Sequence, residues 1–194
     1  LLVLWGNNPQ ETRMSGGGLT FTSLWAKKNS NVKIIVVDPR HTDSVSLLAD
    51  QWIPIRPGTD SALVSALAHE MIANDLQDQA FLDRYVSGFD EDHMPEGVPA
   101  GLSYRSYIMG EGPDGIAKSP EWASPITGVP VDVIKKFAWE LATTTPVNIT
   151  QGWGPQRHAN GENQARAIYA LAALIGQVGI PGGGTGGREG YYWP

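Results

Sequence analysis

The stretch Lys33-Ile34-Ile35-Val36-Val37-Asp38-Pro39-Arg40 decides the fold class, because it joins a continuous β-branched run to a polar turn. Continuous apolar runs of this length indicate strands that are covered on both faces, as in a parallel sheet. Leu1–Trp5 and Val147–Gln151 have the same character. Gln51–Ile55 predicts a weaker strand, and its Pro54 favours a place at the edge of the sheet.

Segments with helical periodicity alternate with these runs. The predicted helices are Leu19–Lys28, Asp60–Asn74, Val131–Ala142 and Asn163–Gln177. Thr59 is placed to cap the second helix, and Gly179 is expected to end the last. Strands that alternate with helices predict an α/β fold with a Rossmann-like, open, mainly parallel sheet and helices on both faces.

Two segments fall outside this pattern. Residues 88–119 are rich in glycine and proline and show no stable period, so we expect a long irregular insertion there. Residues 180–194 are expected to form a glycine-rich exit segment that leaves the domain. The chain begins with an apolar strand and no initiator Met, and we therefore expect residues 1–194 to be one α/β domain excised from a larger chain.

The composition excludes several classes of function. The chain has 194 residues, with 14 basic and 20 acidic side chains and a net charge of −6. This balance disfavours nucleic acids and anionic membranes as ligands, because both require a basic surface. The chain has no cysteine, so it holds no disulfide, thiolate metal site, iron–sulfur cluster or cysteine nucleophile. No apolar run approaches the ~18 residues of a transmembrane helix.

Polar groups and glycines follow each predicted strand, at the edge where open α/β sheets bind their ligands. The candidate site residues are Asn7, Asn8, Glu11 and Thr12 after the first strand, Asp38, Pro39 and Arg40 after the second, Pro57, Thr59 and Asp60 after the third, and Trp153, Gly154 and Arg157 after the fourth. Asp38 can accept hydrogen bonds from a ribose or a guanine edge, and Arg157 can clamp a phosphate. Together, the four strand ends favour a nucleotide-like ligand.

Each strand end also has an ordinary structural interpretation. Asparagine and glycine suit turns, Asp38-Pro39 is a common turn opener, and Thr59-Asp60 suits the first turn of a helix. His158 is interpreted as a structural hydrogen-bonding residue. No G-x-G-x-x-G sequence follows the first predicted strand, which disfavours a nicotinamide dehydrogenase. No residue stands out as a catalytic acid or base, and no His or carboxylate spacing predicts a metal site.

Five short motifs then follow one another along the chain. They are Leu4-Trp5-Gly6-Asn7-Asn8-Pro9-Gln10-Glu11-Thr12-Arg13, Val37-Asp38-Pro39-Arg40, Arg56-Pro57-Gly58-Thr59-Asp60, Gly152-Trp153-Gly154-Pro155-Gln156-Arg157-His158 and Gly176-Gln177-Val178-Gly179-Ile180-Pro181-Gly182-Gly183. In these motifs and their order the chain resembles the molybdopterin oxidoreductases. Within that family it is similar to the catalytic subunits of bacterial dimethyl sulfoxide reductases and their selenate-reducing relatives.

The resemblance implies a specific cofactor role. Enzymes of this kind bind molybdenum as a bis(molybdopterin guanine dinucleotide), and the present chain looks like the domain that holds one dinucleotide. Asn7, Asn8, Glu11 and Thr12 would line the first turn, with Asp38, Pro39 and Arg40 at the nucleoside end and Pro57, Thr59 and Asp60 beside it. Trp153, Gly154 and Arg157 would lie nearer the pterin. The metal-ligating side chain and an iron–sulfur cluster are expected upstream, and the second dinucleotide in a later domain.

The resemblance also implies an activity and partners. The whole enzyme would reduce S-oxides or N-oxides in anaerobic respiration, and the fragment alone is expected to be inactive. Its partners would be the remaining domains of the same chain, an electron-transfer iron–sulfur subunit and a membrane anchor subunit, in the periplasm at the membrane. The residues alone leave open a stand-alone nucleotide- or small-ligand-binding α/β module without catalysis.

Overall fold

A parallel sheet forms the centre of the computed structural model, which describes residues 1–13 and 17–185. Its strands are β1 (Leu2–Trp5), β2 (Ile34–Val37), β3 (Gln51–Ile53) and β4 (Asn148–Gln151). They lie in the order β3-β2-β1-β4, and every neighbouring pair is parallel. Parallel pairing places all four carboxyl ends at one edge of the sheet, and Pro54 ends β3 at the outer position, as the sequence predicts.

Helices connect and cover the strands. They are α1 (Pro9–Thr12), α2 (Gly18–Asn29), α3 (Asp43–Leu48), α4 (Asp60–Ala73), α5 (Gln79–Tyr85), α6 (Tyr104–Met109), α7 (Pro120–Thr127), α8 (Val131–Thr143) and α9 (Gly161–Leu174). Two 3-10 turns span Glu91–His93 and Pro155–Arg157. Among the described residues, no helix combines the length and the apolar character that crossing a membrane requires.

The two faces of the sheet bury different clusters, because successive strand residues point to opposite sides. Trp5 and Val37 belong to the larger cluster, with side chains of α4, α8 and α9. Leu4 and Val36 point the other way and pack with Leu48 of α3 in a smaller cluster. The predicted α/β class, with a parallel sheet and helices on both faces, is confirmed.

The segment 88–119 is more ordered than its composition indicates. It contains α6, whose Ile108 is fully buried in the larger core cluster. The Glu91 carboxylate accepts hydrogen bonds from the Gly101 and Ser103 amides, at 2.8 and 3.2 Å, and from the Ser106 hydroxyl at 2.8 Å. A side chain thus organises a segment that lacks periodicity, and the prediction of an irregular insertion is wrong for α6. The division of the chain into domains stays a prediction.

The described part of the exit segment is also tied to the sheet. The Gly184 amide donates to the Val147 carbonyl at 3.0 Å, and the Ile149 amide donates to the Gly184 carbonyl at 2.9 Å. Gly184 therefore extends the β4 edge instead of leaving the domain at this point. The rest of the predicted segment, residues 186–194, lies outside the described residues.

The last helix occupies a different range from the one its apolar pattern predicts. α9 begins two residues earlier, at Gly161, and ends at Leu174 instead of Gln177. Gly176 follows with φ +64°, a left-handed conformation that favours glycine and ends the helix before Gly179.

Core packing predicts that substitution of a buried and of an exposed leucine will lower the free energy of unfolding by very different amounts. Leu67 of α4 is fully buried, whereas Leu47 of α3 is 56% exposed. Leu67→Ala leaves a cavity and should lower the free energy of unfolding by about 2–5 kcal/mol. Leu47→Ala should change it by less than about 0.5 kcal/mol. Thermal and urea unfolding of the purified variants measure the difference, and equal losses would contradict this packing.

Candidate functional site

A pocket of about 130 Å³ opens where the carboxyl ends of the strands meet. Five residues predicted from the sequence line it, and these are Asp38, Pro39, Pro57, Asp60 and Gly154. The other lining residues are Gly6, Val37, Ile55, Gly58, Pro155 and His158. The lining comes from the ends of all four strands, so these strand ends converge on one crevice.

Glycines permit the close backbone approach beneath this pocket. A Cβ at Gly152 would overlap the Gly6 carbonyl oxygen, and a Cβ at Gly6 would lie 2.5 Å from the Pro155 Cδ atom. Gly6 also has φ +53°, which a side chain would disfavour. Since β2 and β4 flank β1 on opposite sides, this is the point where the strand order reverses, and open α/β sheets bind ligands at such points.

Asp38 presents a buried carboxylate to the pocket. Its Oδ1 atom accepts a hydrogen bond from the Arg40 amide at 2.9 Å, which closes the predicted Asp-Pro turn. The Trp52 indole N–H donates to the Asp38 carbonyl at 2.9 Å. Burial raises the pKa of Asp38, and the Arg40 amide and charge oppose this effect. The second carboxylate oxygen accepts no hydrogen bond from the described residues, so it is free to accept one from a ligand.

Asp60 is the second buried carboxylate of the pocket. Its Oδ1 atom accepts a hydrogen bond from the Trp5 indole N–H at 2.8 Å. Burial raises the pKa of Asp60, and the Trp5 hydrogen bond opposes this effect. Its backbone amide, at the start of α4, donates to the Gln164 Oε1 atom at 2.8 Å. The main chain and the side chain of Asp60 are therefore both fixed by residues distant in sequence.

Thr59 occupies the N-cap position of α4, as predicted, but its side chain does not cap the helix. Its hydroxyl donates to the Arg56 carbonyl at 2.7 Å. Gln164 of α9 accepts from the Asp60 amide, the first of the helix. The prediction of a Thr59 side-chain cap is wrong, because the Thr59 hydroxyl donates to the preceding turn and not to the helix.

The predicted residues of the first turn lie beside the pocket without lining it. The Asn8 Oδ1 atom accepts from the Ser44 hydroxyl at 2.7 Å, and the Thr12 hydroxyl donates to the Asn8 carbonyl at 2.9 Å. Glu11 forms an ion pair with Arg40 at 2.9 Å. The contacts of Asn8 and Glu11 join the first turn to Arg40 and Ser44, after β2, so these two side chains support the rim of the site. A direct role for them in binding stays a prediction.

Two buried polar groups near the pocket form no hydrogen bond with the residues that the structure describes. The Asn7 side chain is fully buried beside Gly152, and neither its amide nitrogen nor its oxygen forms a hydrogen bond. The buried Trp153 indole nitrogen is also unpartnered, while the Arg157 guanidinium lies 4.9 Å from the Trp153 ring centroid. A buried polar group without a partner costs about 1–3 kcal/mol. Their position at the ends of β1 and β4 points to a polar ligand.

Sequence reasoning missed two residues of the site. His158 lines the pocket, although it was interpreted as a structural residue. Its position in the glycine-rich loop after β4 was the available signal. Gln164 accepts a hydrogen bond from the Asp60 amide at 104 residues' separation, and nothing in its local sequence indicates that partner.

The pocket suits a ligand that offers hydrogen-bond donors. Two carboxylates line it, and both retain an oxygen that accepts no hydrogen bond from another residue in the described part of the chain. Sugar hydroxyls and the N–H edges of a base are donors of this kind. In the described part of the chain, one cluster has metal-ligating geometry, formed by Asp83, Asp90 and His93, and it does not line the pocket.

The chain is similar to known proteins over nearly its whole length. The family model for molybdopterin oxidoreductase matches residues 1–191. The chain is 59% identical over 192 residues to dimethyl sulfoxide reductase DmsA of Escherichia coli K12, covering 99% of this chain and 24% of that protein. It is 34% identical over 190 residues to the dimethyl sulfoxide/trimethylamine N-oxide reductase of Rhodobacter capsulatus, covering 96% of this chain and 21% of that protein.

A solved structure of another protein also resembles this chain. The acetylene hydratase of Pelobacter acetylenicus superposes with a TM-score of 0.62 at 27% identity, covering 90% of this chain and 21% of that chain. The chain thus spans less than a quarter of the length of the two curated relatives named above.

Burial of Asp60 predicts a pH-dependent change in stability. Because its pKa is raised in the folded protein, ionisation of Asp60 destabilises the fold progressively above its unfolded-chain pKa of about 3.9. Asp60→Asn keeps an oxygen acceptor for Trp5 and removes the charge. In the cofactor-free protein it should raise the melting temperature at pH 7, and the gain should shrink towards pH 4.

The matched control is Asp132→Asn, which changes an exposed acid in the first turn of α8. It should alter the melting temperature little at either pH. A gain for Asp60→Asn that does not vary with pH, or a loss at pH 7, would show that burial does not govern this carboxylate.

Proposed function

The chain belongs to the molybdopterin oxidoreductase family, and from this premise we propose that it holds the guanosine end of a molybdopterin guanine dinucleotide. Family membership implies a molybdenum–molybdopterin cofactor, whereas the dinucleotide form and its placement belong to the proposal. The observation that carries the proposal is the convergence of Asp38 and Asp60 on one pocket at the switch point of the sheet.

The chemistry of the pocket matches the guanosine part of such a cofactor. Guanine offers N–H donors on one edge, and ribose offers hydroxyl donors. Asp38 and Asp60 each offer a carboxylate oxygen that accepts no hydrogen bond from another described residue. A hydrogen bond to a charged group contributes about 1.5–3 kcal/mol, so two such acceptors give both affinity and a fixed orientation.

The residues around the pocket also fit a molybdopterin guanine dinucleotide. The buried Asn7 amide and the Trp153 indole N–H lack partners in the described structure, which is consistent with a polar molecule completing them. Gly6, Gly152 and Gly154 allow the chain segments after β1 and β4 to pack closely, which brings the two sides of the pocket together. Arg157, exposed beside Trp153, is available to a phosphate group.

When bound, the molybdenum cofactor supplies the oxygen-atom and electron transfer chemistry. This chain's own residues bind and orient. Asp38 and Asp60 accept hydrogen bonds from the nucleoside, the strand-end glycines keep the lining segments close together, and the ion pair between Glu11 and Arg40 keeps the rim in place. No residue of this chain is assigned a catalytic acid, base or metal-ligand role.

We extend the proposal to the whole protein. Identity of 59% to a dimethyl sulfoxide reductase supports the reduction of S-oxides or N-oxides over a stand-alone binding module. An iron–sulfur cluster and the metal ligand would belong to a preceding part of a longer chain. The partners would be the remaining domains, an electron-transfer iron–sulfur subunit and a membrane anchor subunit, and the protein would act in the periplasm at the membrane.

The role of Asp38 can be tested in the full-length protein. Asp38→Ala removes a charge-assisted acceptor and should speed the loss of guanine nucleotide during dialysis about tenfold or more, since ~1.4 kcal/mol is a factor of ten. Asp38→Asn retains the turn and removes the charge, so it should also speed the loss. Guanine nucleotide per mole of folded protein is the measurement.

The exposed acid Asp132 supplies the control, because Asp132→Asn leaves the pocket untouched. Wild-type retention in both Asp38 variants, with only a small fall in melting temperature, would make Asp38 a turn residue. That result would remove the end of β2 from the cofactor site.

A further inference from the structure

Trp5 is an unusual residue for its place in the sheet. It is the last residue of β1, it is fully buried, and its strand neighbours Leu4, Val36 and Val37 are aliphatic. A buried indole needs a hydrogen-bond partner for its N–H group. That partner is the Asp60 Oδ1 atom, at 2.8 Å, on a residue that lines the pocket.

Gln164 holds the same residue from another direction. It lies in the first turn of α9, is 6% exposed, and accepts the Asp60 amide hydrogen bond at 2.8 Å. The Thr59 hydroxyl donates to the Arg56 carbonyl and does not hold the start of α4. Asp60 is therefore restrained by β1 through its side chain and by α9 through its main chain.

We propose that Trp5 and Gln164 are positioning residues, which orient the Asp60 carboxylate so that its Oδ2 atom faces the donor groups of the bound nucleoside. The inference rests on the proposed function, which it deepens by assigning the orientation of one acceptor. Oδ1 is occupied by the indole N–H, and Oδ2 accepts no hydrogen bond from another residue in the described part of the chain. The two oxygens thus have separate tasks, one structural and one directed at the ligand.

Fixing the carboxylate before the ligand arrives should slow the ligand's departure. A side chain that is already ordered loses little conformational freedom on binding, and preorganisation of this kind increases affinity. Phe137 packs near the Trp5 ring, with ring centroids 6.3 Å apart, and restricts the indole in turn. The Trp5 hydrogen bond also lowers the pKa of Asp60 against the effect of burial, which favours the ionised acceptor.

The test uses a double-mutant cycle in the full-length, cofactor-loaded protein. Trp5→Phe keeps an aromatic ring and removes the N–H donor, Gln164→Leu removes the amide acceptor, and Asp60→Ala removes the carboxylate. The rate of guanine nucleotide loss during dialysis is measured for each variant.

Trp5→Phe and Gln164→Leu should each accelerate the loss about tenfold. In the Asp60→Ala background, Trp5→Phe should add nothing. Trp139→Phe, at an exposed position of α8, is the matched control.

The outcomes separate this inference from the function on which it rests. If Asp60→Ala retains nucleotide like the wild type, the proposed placement of the nucleoside at Asp60 is wrong. If Asp60→Ala loses nucleotide but Trp5→Phe and Gln164→Leu do not, the function stands and the positioning role is refuted. Equal acceleration by Trp5→Phe with and without Asp60 would likewise refute it, by showing a general structural effect. If Trp5→Phe does not fold, the same double-mutant cycle is measured with Gln164→Leu and Asp60→Ala.

The pH dependence of nucleotide loss gives a second measurement, which would be unchanged in Trp5→Phe if Trp5 had a purely structural role. Removal of the indole N–H should raise the pKa of Asp60, so nucleotide loss in Trp5→Phe should accelerate at a higher pH than in the wild type, as acid is added. Asp38 and His158 are the other titratable residues lining the pocket, and both are unchanged in this variant. The partners from β1 and α9, Trp5 and Gln164, carry no charge. An unshifted profile would contradict the positioning role.

Discussion

The close approach of the main chain at Gly6 and Gly152 is the constraint on which the rest of the site depends. β1 pairs in parallel with both β2 and β4, and the Gly152 amide donates to the Trp5 carbonyl at 2.9 Å just beyond the last β1–β4 pair. A side chain at Gly152 would separate these strand ends. Because they stay together, Asp38, Asp60 and the β4 loop face one pocket.

The site is held at a cost in stability. Burial raises the pKa values of both Asp38 and Asp60, and the Asn7 amide is buried with no hydrogen-bond partner among residues 1–13 and 17–185. Each feature disfavours the empty fold, and each is offset when a ligand supplies the missing donors or acceptors. Proteins commonly retain such features where function requires them. The unfavourable groups are therefore informative about binding, whereas the well-packed helices around them mainly provide rigidity.

Much of the fold could be predicted from the sequence, because continuous apolar runs and amphipathic helices are local signals. β1, β2 and the helix α4 lie within about a residue of their predicted bounds. α6 could not be predicted, because Glu91 stabilises its beginning through hydrogen bonds across an aperiodic loop. The helices outside the predicted set are short, and their formation depends on tertiary packing rather than on periodicity.

The residues of the site, like the helices, could be predicted only in part from the sequence. Position after a strand identified Asp38 and Asp60, since parallel strands bring their carboxyl ends together. The same rule also selected Asn8 and Glu11, whose side chains bond within the protein beside the pocket. A structure of the full-length, cofactor-loaded protein tests the central claim most directly. The account predicts guanosine density in the pocket bounded by Asp38 and Asp60, and guanosine bound elsewhere, with this pocket empty, would contradict it.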